Sequence, residues 1–544
     1  MQLERKNKMA NNYSFSVMPS VSISRSRFER KNQHKTSFNL GDIIPIYVDE
    51  VLPGDTRSMD MAALVRMSTP IAPIMDNIYL DFFAFFVPNR IVWDHWKEFM
   101  GENNESAGIP SMQYSIPSFV FNPLNNQFEV GSYGDYMGLP VNVNFENYND
   151  KISVLPFRGL AKIYNRWFRN QNLIAPLAVC TSDDPYDLVD ASLDFSCTKA
   201  GVLKASKLPD YFTSSLPYAQ KGQAVSIPLG TTADIRVLNS NPGTALGNAQ
   251  TLVLQNTPGM AAGASADVVV SSANTPTFTG SLIADLSNAT AATINQLRYA
   301  FQLQKLLEKD ALYGTRYWEI LAAHFGVTSP DASLQDPEYL GGKRMNINID
   351  QVLSTAGYSP DTDTTVGQPG ANSVSGFKGS LFTKSFTEHG YLFILAVARH
   401  DQTYGQGINR MWTRKSRYDF YFPVFANLGA QDVKLKEIYA QGTAADDNIF
   451  GYQESWAEYR YKPSIVSNVL RANVPNSLGF WSLANNFGAA PTLSQSFIEQ
   501  DRNALSRALV TGSTGPDFIA DFFFRDVAVR PMPVYSIPGL IDHH

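Results

Sequence analysis

The sequence is poor in charge and in cysteine. Charged residues make up 17% of its 544 residues, against about 25% in typical globular proteins. Its two cysteines, Cys180 and Cys197, cannot build a disulfide framework, so we expect free thiols in a reducing compartment. No apolar run approaches the roughly 18 residues of a membrane-spanning helix, and the polar N-terminus has no apolar signal-peptide core. These absences indicate a soluble protein made inside a cell.

No catalytic or ligand-binding motif is complete. The sequence contains neither G-x-S-x-G nor H-E-x-x-H, and Gly341–Arg344 lacks the upstream glycine of a phosphate-binding loop. Tyr404–Gly407 starts like a nucleotide-binding fingerprint and then departs from it, which favours a tight loop after a strand. Asp183, Asp184 and Asp187 offer the oxygen ligands that calcium uses, although a solvated turn is the simpler interpretation. We therefore expect neither an enzyme nor a bound cofactor or metal.

The histidines do not form a cluster in the sequence. His543 and His544 end the chain, and the others are scattered: His34, His95, His324, His389 and His400. Isolated histidines of this kind usually make structural hydrogen bonds. His389 and His400 flank an apolar segment and could face one pocket, but their spacing implies no acidic partner.

Aromatic side chains are abundant, at 12% of the chain. Such residues are enriched where subunits bury surface together. A chain that is rich in rings and poor in charge therefore indicates either an assembling protein or a large monomer with an extensive core.

The strongest apolar segments are short, rich in Phe, Tyr, Val and Ile, and bounded by turn residues, which predicts a mainly β protein. They are Ile43–Leu52, Ile78–Val87, Tyr391–Ala398, Tyr418–Phe425 and Phe518–Phe524. Ile78–Val87 is apolar on both alternating faces, so we expect this strand to be covered on both sides. Pro45 and Pro423 predict an edge or a bulge in their strands.

Helix is predicted in only three places. Ala291–Leu312 has apolar residues at helical spacing, which predicts a surface helix with one buried stripe, capped by Thr290 and followed by Gly314. Arg316–Phe325 predicts a short helix that stops at Gly326. Trp93–Met100 is the third candidate.

Residues 231–290 differ in composition from the rest of the chain. They contain four charged residues, one aromatic residue and no lysine, so they cannot supply much core. A flexible linker is one interpretation. We favour an ordered β-rich protrusion, because Ile235–Leu238, Thr251–Leu254 and Asp267–Val270 resemble short strands.

The charge is unevenly distributed. Residues 1–40 carry eight basic and two acidic side chains, whereas the remainder carries 36 basic and 48 acidic ones. A basic arm on an acidic body is typical of a protein that contacts a polyanion through one end, although a solvated, disordered terminus has the same composition. The candidate DNA-facing residues of the arm are Arg25, Arg27, Arg30, Lys31 and Lys35.

A second basic cluster lies beside Trp412 and Tyr418 and consists of Arg410, Arg414, Lys415 and Arg417. Cations interleaved with rings suit phosphate contacts and base stacking. Salt bridges between subunits explain the cluster equally well. Neither basic region contains a recognisable groove-reading helix, so we expect no sequence-specific readout.

Long motifs in a fixed order resemble one known family. They are Ser26–Arg30, His34–Thr36, VDEVLPGDT at 48–56, PIAPIMDNIYLDFFAFFVPNRIVWDHW at 70–96, PYAQKGQAVSIPLG at 217–230, QLRYAFQLQKLLEKDALYGTRYWEIL at 296–321, DPEYLGG at 336–342 and PMPVYSIPGLIDH at 531–543. Together they span nearly the whole chain and resemble the major capsid proteins of the gokushovirus branch of the Microviridae, which are small tailless single-stranded-DNA bacteriophages. The residues before Met9 depart from the usual start.

The resemblance implies an eight-stranded viral jelly roll and a shell of about sixty copies around circular single-stranded DNA. It also implies a small basic packaging protein as partner, assembly in the bacterial cytoplasm, and spikes built by the low-charge insertion. We therefore expect an arm at 1–40, a jelly roll divided between 41–230 and 291–544, and a surface protrusion at 231–290, of which 231–285 would meet a host receptor. The alternative is a carbohydrate-binding β-sandwich surface protein, which would need export.

Overall fold

The computed structural model describes residues 24–102, 114–121, 126–146, 148, 152–184, 186–187, 197–223, 225, 234–239, 280–285, 294–355, 366–367 and 369–535. The chain divides into two compact units, residues 220–310 and the remainder. No helix in the described ranges is long and apolar enough to cross a bilayer.

The larger unit is built around two antiparallel sheets of four strands each. In chain order the strands are β1 (Ser26–Phe38), β2 (Ile43–Val51), β3 (Thr56–Met67), β4 (Ile78–Pro88), β5 (Glu338–Ile347), β6 (Val374–Ser385), β7 (Gly390–His400) and β8 (Phe518–Arg530). The first sheet has the order β1-β8-β3-β6 and the second the order β2-β7-β4-β5. Except for β4 and β5, which pair within the second sheet, successive strands alternate between two facing sheets, as in a jelly roll. The predicted mainly β, jelly-roll fold is confirmed.

Residue alternation explains how the sheets face each other. Along β8, Phe518, Phe522 and Phe524 are buried between the sheets, while Ile519 and Arg525 lie on the other face. A strand with period two places its apolar residues on one side in this way. Four of the five predicted strands are confirmed; the exception is Tyr418–Phe425. Three of the four begin and end within two residues of the prediction, and the fourth, β8, begins at Phe518 as predicted but continues to Arg530.

Strands β4 and β7 of the second sheet are buried on both faces, as predicted for the segment that forms β4. Phe85, Phe393 and Leu395 point away from the first sheet into a second core. The helix Leu155–Ile163 covers them, and Gly159 permits this because a Cβ there would lie 3.2 Å from the Phe393 ring. These strands therefore read as nearly continuous apolar runs.

Pro45 lies on β2, at the edge of the second sheet, and the register between β2 and β7 shifts beside it. Both features agree with the prediction, because a proline cannot donate a ladder hydrogen bond.

The remaining elements are short. The other strands are Phe119–Val120, Tyr186–Asp187, Asp234–Asn239, Gly280–Asp285, Asp350–Leu353, Pro369–Asn372, Thr403–Tyr404, Gln431–Lys434, Ile449–Gln453 and Ser464–Ile465. The other α-helices are Asn89–Val92, Trp96–Phe99, Tyr133–Tyr136, Ile294–Tyr313, Tyr317–Ile320, Leu435–Ile438, Gln495–Ile498 and Asn503–Ser506. Wider π turns cover Tyr164–Phe168 and Leu321–Phe325. The 3-10 turns are Asp331–Leu334, Arg410–Trp412, Arg417–Asp419, Pro423–Asn427, Ala444–Asp447, Ala457–Tyr459, Asn468–Leu470 and Gly479–Trp481.

The predicted helices form, but one lacks its buried stripe. Ile294–Tyr313 ends at Gly314, whose φ is 107°, as predicted; Thr290 lies outside the described residues. Ala311 is the buried residue of this helix, whereas Ile294 and Phe301 are 68% and 63% exposed. The predicted buried stripe is wrong for the single chain, because helical spacing creates an apolar face without supplying its partner.

Of the other two predicted helices, one is confirmed over its length and one only in part. Tyr317–Ile320 continues through Leu321–Phe325 and stops at Gly326 with a φ of 67°, which confirms Arg316–Phe325. The predicted Trp93–Met100 helix is confirmed only over Trp96–Phe99.

The strand predicted for Tyr418–Phe425 is wrong. The Asp419 carboxylate accepts hydrogen bonds from the backbone N–H groups of Lys415 at 2.8 Å and Ser416 at 2.7 Å, which fixes a 3-10 turn. Pro423 starts a second 3-10 turn, so the alternating face never forms a ladder. Tyr418 and Val424 are 72% and 86% exposed.

An ion cluster lies inside one end of the barrel, with three arginines facing three aspartates. Its members are Arg30, Arg57, Arg530, Asp49, Asp55 and Asp526. Arg57 is completely buried and contacts Asp49 of the second sheet and Asp526 of the first. Tyr47 adds a hydrogen bond from its hydroxyl to Asp526 at 3.1 Å. The cluster therefore connects the two sheets.

We predict that Arg57→Met lowers the free energy of unfolding by about 3–5 kcal/mol, because it leaves buried carboxylates without their cation. The matched control is Arg66→Met, on the exposed face of the same strand, with an expected change within about 0.5 kcal/mol. Urea unfolding of isolated subunits measures both values. Equal stability of the two variants would show that the cluster contributes nothing.

Candidate nucleic-acid interface

The outer face of the first sheet carries an excess of positive charge. Strand register places residues of β1, β8, β3 and β6 side by side there; for example, Lys31 is opposite Arg525, which is opposite Asp60. We call this surface the cationic face. Its basic residues are Arg27, Lys31, Lys35, Arg66, Lys378 and Arg525, and its acidic residues are Glu29, Asp60 and Asp521.

Part of this charge is neutralised within the face. Arg525 binds Glu29 at 2.8 Å and Asp60 at 3.3 Å, and Lys31 lies 3.2 Å from Glu29. Hydrogen bonds from Arg525 and Lys31 lower the pKa of Glu29 to about 2, so this carboxylate stays ionised at neutral pH. The face therefore carries mixed charges around its centre.

Four cations of the face have no ion-pair partner among the residues that the structure describes: Arg27, Lys35, Arg66 and Lys378. A surface depression of about 470 Å³ lies between Lys35 and Arg66, and its lining includes Leu64, Ile519 and the acidic Asp521. The two cations outnumber this one carboxylate, so the depression keeps a positive charge that suits a phosphate backbone.

Ser26–Phe38 of the predicted N-terminal arm is strand β1 of the barrel. Lys31 and Lys35 lie on its exposed side together with Arg27, and Arg25 precedes the strand. Arg30 differs, because successive side chains of a strand point to opposite faces. It belongs to the buried ion cluster and not to the cationic face. Residues 1–23 lie outside the described residues.

The second basic cluster divides into two arginines with structural contacts and two exposed cations. Arg414 binds Glu458 at 3.2 Å and lies over the Tyr459 ring at 4.5 Å, and Arg410 donates to the Asp432 carbonyl at 2.8 Å. These two arginines hold the surrounding loops together. Lys415 and Arg417 are exposed instead, and Arg417 rests against the Phe422 ring.

Three cations of the cationic face escaped sequence reasoning: Arg66, Lys378 and Arg525. Each is isolated in sequence and joins the face only through strand pairing with distant residues. The alternation of apolar and polar residues along β3 and β8 was the one available signal that Arg66 and Arg525 point outward.

The histidines occupy separate structural positions. A ring nitrogen of His34 lies 2.8 Å from the Ile46 carbonyl oxygen. Burial lowers the pKa of His400 to about 4, so it is neutral at physiological pH. His389 precedes β7 and His400 ends it, so strand geometry places them roughly 36 Å apart. The idea of one shared pocket is therefore wrong. His543 and His544 lie outside the described residues.

The carboxylates of Asp183 and Asp184 make hydrogen bonds and polar contacts with neighbouring side chains of the chain. Asp183 accepts from the indole N–H of Trp93 at 2.6 Å and lies 2.8 Å from His95. Asp184 accepts from the Ser182 hydroxyl at 2.7 Å, while the side chain of Asp187 is not among those described. No group of three potential metal ligands occurs in the described part of the chain.

The structure also describes the two cysteines and the two glycine-containing motifs. Cys180 is exposed and Cys197 is buried, and neither forms a disulfide. Gly341–Arg344 lies within β5, in place of a loop that could bind phosphate. Tyr404 ends the short strand Thr403–Tyr404, and Gly405–Gly407 follow it as a loop, as expected.

Comparison with known proteins identifies the family. The family model described as capsid protein (F protein) matches residues 16–540. Capsid protein VP1 of Bdellovibrio phage phiMH2K is 42% identical over 543 residues, covering 97% of this chain and 98% of that protein. Capsid protein VP1 of Chlamydia phage 1 is 38% identical and that of Spiroplasma virus 4 is 35% identical, each covering 97% of both chains.

These relatives are structural proteins and not enzymes, which agrees with the prediction from the missing catalytic motifs. The matches cover the motifs on which the resemblance to gokushovirus capsid proteins was based. The chain therefore belongs to the capsid protein (F protein) family of the Microviridae, in its gokushovirus branch.

Proposed function

We propose that this chain is the major capsid protein of a small bacteriophage and that about sixty copies form a closed shell around a circular single-stranded DNA genome. The observation that carries the proposal is the family match over residues 16–540 on a jelly-roll chain. Assembly takes place in the bacterial cytoplasm, and the product is the virion capsid.

Exposed apolar side chains support self-association. Trp412, Tyr418 and Val424 project from the loops after β7, and Phe301 and Ile294 project from the helix Ile294–Tyr313. Soluble monomers rarely leave large apolar patches uncovered. Obligate interfaces bury such residues over roughly 2,000–5,000 Å², and rotational symmetry lets the contacts close into a shell.

We predict that the purified protein forms spherical particles that elute far above the mass of a single chain, 60.3 kDa. Size-exclusion chromatography and electron microscopy give the answer directly. A protein that stayed monomeric at all concentrations and bound glycans would instead support the carbohydrate-binding alternative.

The cationic face would lie toward the genome. Its unpaired Arg27, Lys35, Arg66 and Lys378 can neutralise phosphates, whereas the body of the chain is acidic and repels them. The exposed Lys415 and Arg417 form a second, smaller DNA-facing area. A small basic packaging protein shares this work.

We predict that the triple substitution Arg27→Gln, Lys35→Gln and Arg66→Gln, which removes three unpaired cations of the cationic face, leaves shell formation intact and reduces packaged DNA. The slope of log binding constant against log salt concentration for a single-stranded oligonucleotide should decrease in magnitude by about 2, since each phosphate contact to a single strand contributes about 0.7. The control removes Lys97, Lys343 and Arg460, which are exposed cations away from this face. Unchanged packaging and slope in the first variant would refute the role.

The insertion at 231–290 forms a surface protrusion in this proposal, and residues 231–285 attach to the host. Asp234–Asn239 pairs antiparallel with Gly280–Asp285, so the chain leaves and returns at one place. A segment tied at its base, low in charge and poor in core residues can vary without disturbing the barrel.

We predict that replacing residues 240–279 with a short Gly-Ser turn preserves particles and abolishes adsorption to host cells. The strand pair at the base stays intact, so the barrel should fold as before. Particle yield by microscopy and cell-bound particles by sedimentation are the two readouts. Loss of particles from folded subunits would make the segment an assembly element, and normal adsorption would exclude a receptor role.

A further inference from the structure

A cavity of about 420 Å³ opens beside the second basic cluster. It lies in the long segment after β7, where the Thr403–Tyr404 strand pairs with Ser464–Ile465. Its size falls within the range of about 300–1,000 Å³ found for small-molecule sites. Nothing in the barrel's architecture requires a cavity at this position.

Aromatic rings form much of the wall. Tyr211 and Tyr404 lie in the buried part, while Trp412 and Tyr461 stand near the opening and are 75% and 49% exposed. Exposed flat rings at the mouth of a cavity are stacking platforms for planar ligands, and every nucleobase has a suitable face.

The cavity also contains an unused hydrogen-bond acceptor. Glu458 binds Arg414 through Oε1, and its side chain is 7% exposed. Its other carboxylate oxygen, Oε2, is buried and has no hydrogen-bond partner. Glu437, the second carboxylate in the wall, differs because it accepts from the Tyr211 hydroxyl and the Lys434 backbone N–H. An amino group inserted into the cavity would satisfy Glu458.

Exposed cations lie next to lining residues of the cavity in the sequence: Lys415 and Arg417 follow Trp412, and Lys462 follows Tyr461. These three cations and Arg471 are exposed, and within the described residues none of them has an ion-pair partner. Arg471 itself lines the cavity. These charges disfavour a cationic peptide as occupant and would be unused by a neutral sugar, whereas a phosphate backbone would neutralise them.

We propose that this cavity binds a single nucleobase of single-stranded DNA, stacked on Trp412 and Tyr461, with its exocyclic amino group donating to Glu458. Carboxylates accept hydrogen bonds from the cytosine amino group. Thymine has no amino group, and its ring N3–H lies between two carbonyl oxygens that repel a carboxylate. The cavity thus prefers amino-bearing bases over thymine. This inference rests on the proposed function, because it assumes that the chain contacts the genome.

Fluorescence anisotropy with full-length subunits tests the inference, using oligo-dC and oligo-dT of equal length. We expect oligo-dC to bind about tenfold more tightly than oligo-dT. Trp412→Ala should weaken binding of both by about tenfold, and Trp412→Phe should restore most of it, because stacking needs only a ring. Glu458→Gln should remove the preference for cytosine. Tyr535→Ala, an exposed ring outside the cavity, is the control and should change neither affinity.

Thermal unfolding of each variant verifies that it folds. Oligonucleotide binding without base preference, unaffected by Trp412→Ala and Glu458→Gln, would overturn the cavity site and leave the proposed genome contact standing. Failure of the wild-type protein to bind either oligonucleotide, with packaging unaffected by the triple substitution on the cationic face, would overturn both. Saturable binding of a neutral sugar or a lysine-rich peptide that Trp412→Ala abolishes, in place of DNA binding, would assign the cavity to that ligand.

Discussion

The buried contacts of Arg57 with Asp49 and Asp526 tie the two sheets of the barrel to a fixed register. They connect the two sheets, and Arg30 joins the same carboxylates from β1. A one-residue slip of β1 would expose Arg30 and turn its neighbours Glu29 and Lys31 inward. Holding Arg30 inside therefore holds Arg27, Lys31 and Lys35 outside. The position of the cationic face follows from a buried ion cluster on the opposite side of the same strand.

Much of the barrel could be predicted from the sequence, and the failures have physical causes. Segments whose apolar residues are buried within the chain, such as Ile78–Val87 and Phe518–Phe524, form strands as predicted. Tyr418–Phe425 has strong β propensity, but propensity does not supply a neighbouring strand, and the Asp419 turn together with Pro423 removes the ladder. The stripe on Ile294–Tyr313 failed for a related reason, since its cover is not found in the single described chain.

Fewer residues of the candidate interface than of the barrel could be predicted from the sequence. Counting charges located the basic stretch around β1, yet it could not separate Arg27 from Arg30, because that requires knowing the face of the strand. Arg66 and Arg525 are single cations in sequence and join the interface only through long-range pairing. The cavity at Glu458 was beyond prediction altogether, because an unpartnered carboxylate oxygen is a property of packing and not of sequence.

The distribution of charge links these features. Most charged residues in the described barrel are paired, as in the Arg57 cluster and the Arg414–Glu458 contact. Several unpaired cations share the cationic face, and others lie in or beside the segments that form the aromatic cavity. Screening limits electrostatic attraction to about 8 Å at physiological ionic strength, so the acidic remainder of the chain does not cancel these local charges. A polyanion that approaches the subunit is therefore attracted to two defined surfaces, one suited to phosphates alone and the other to phosphates and bases together.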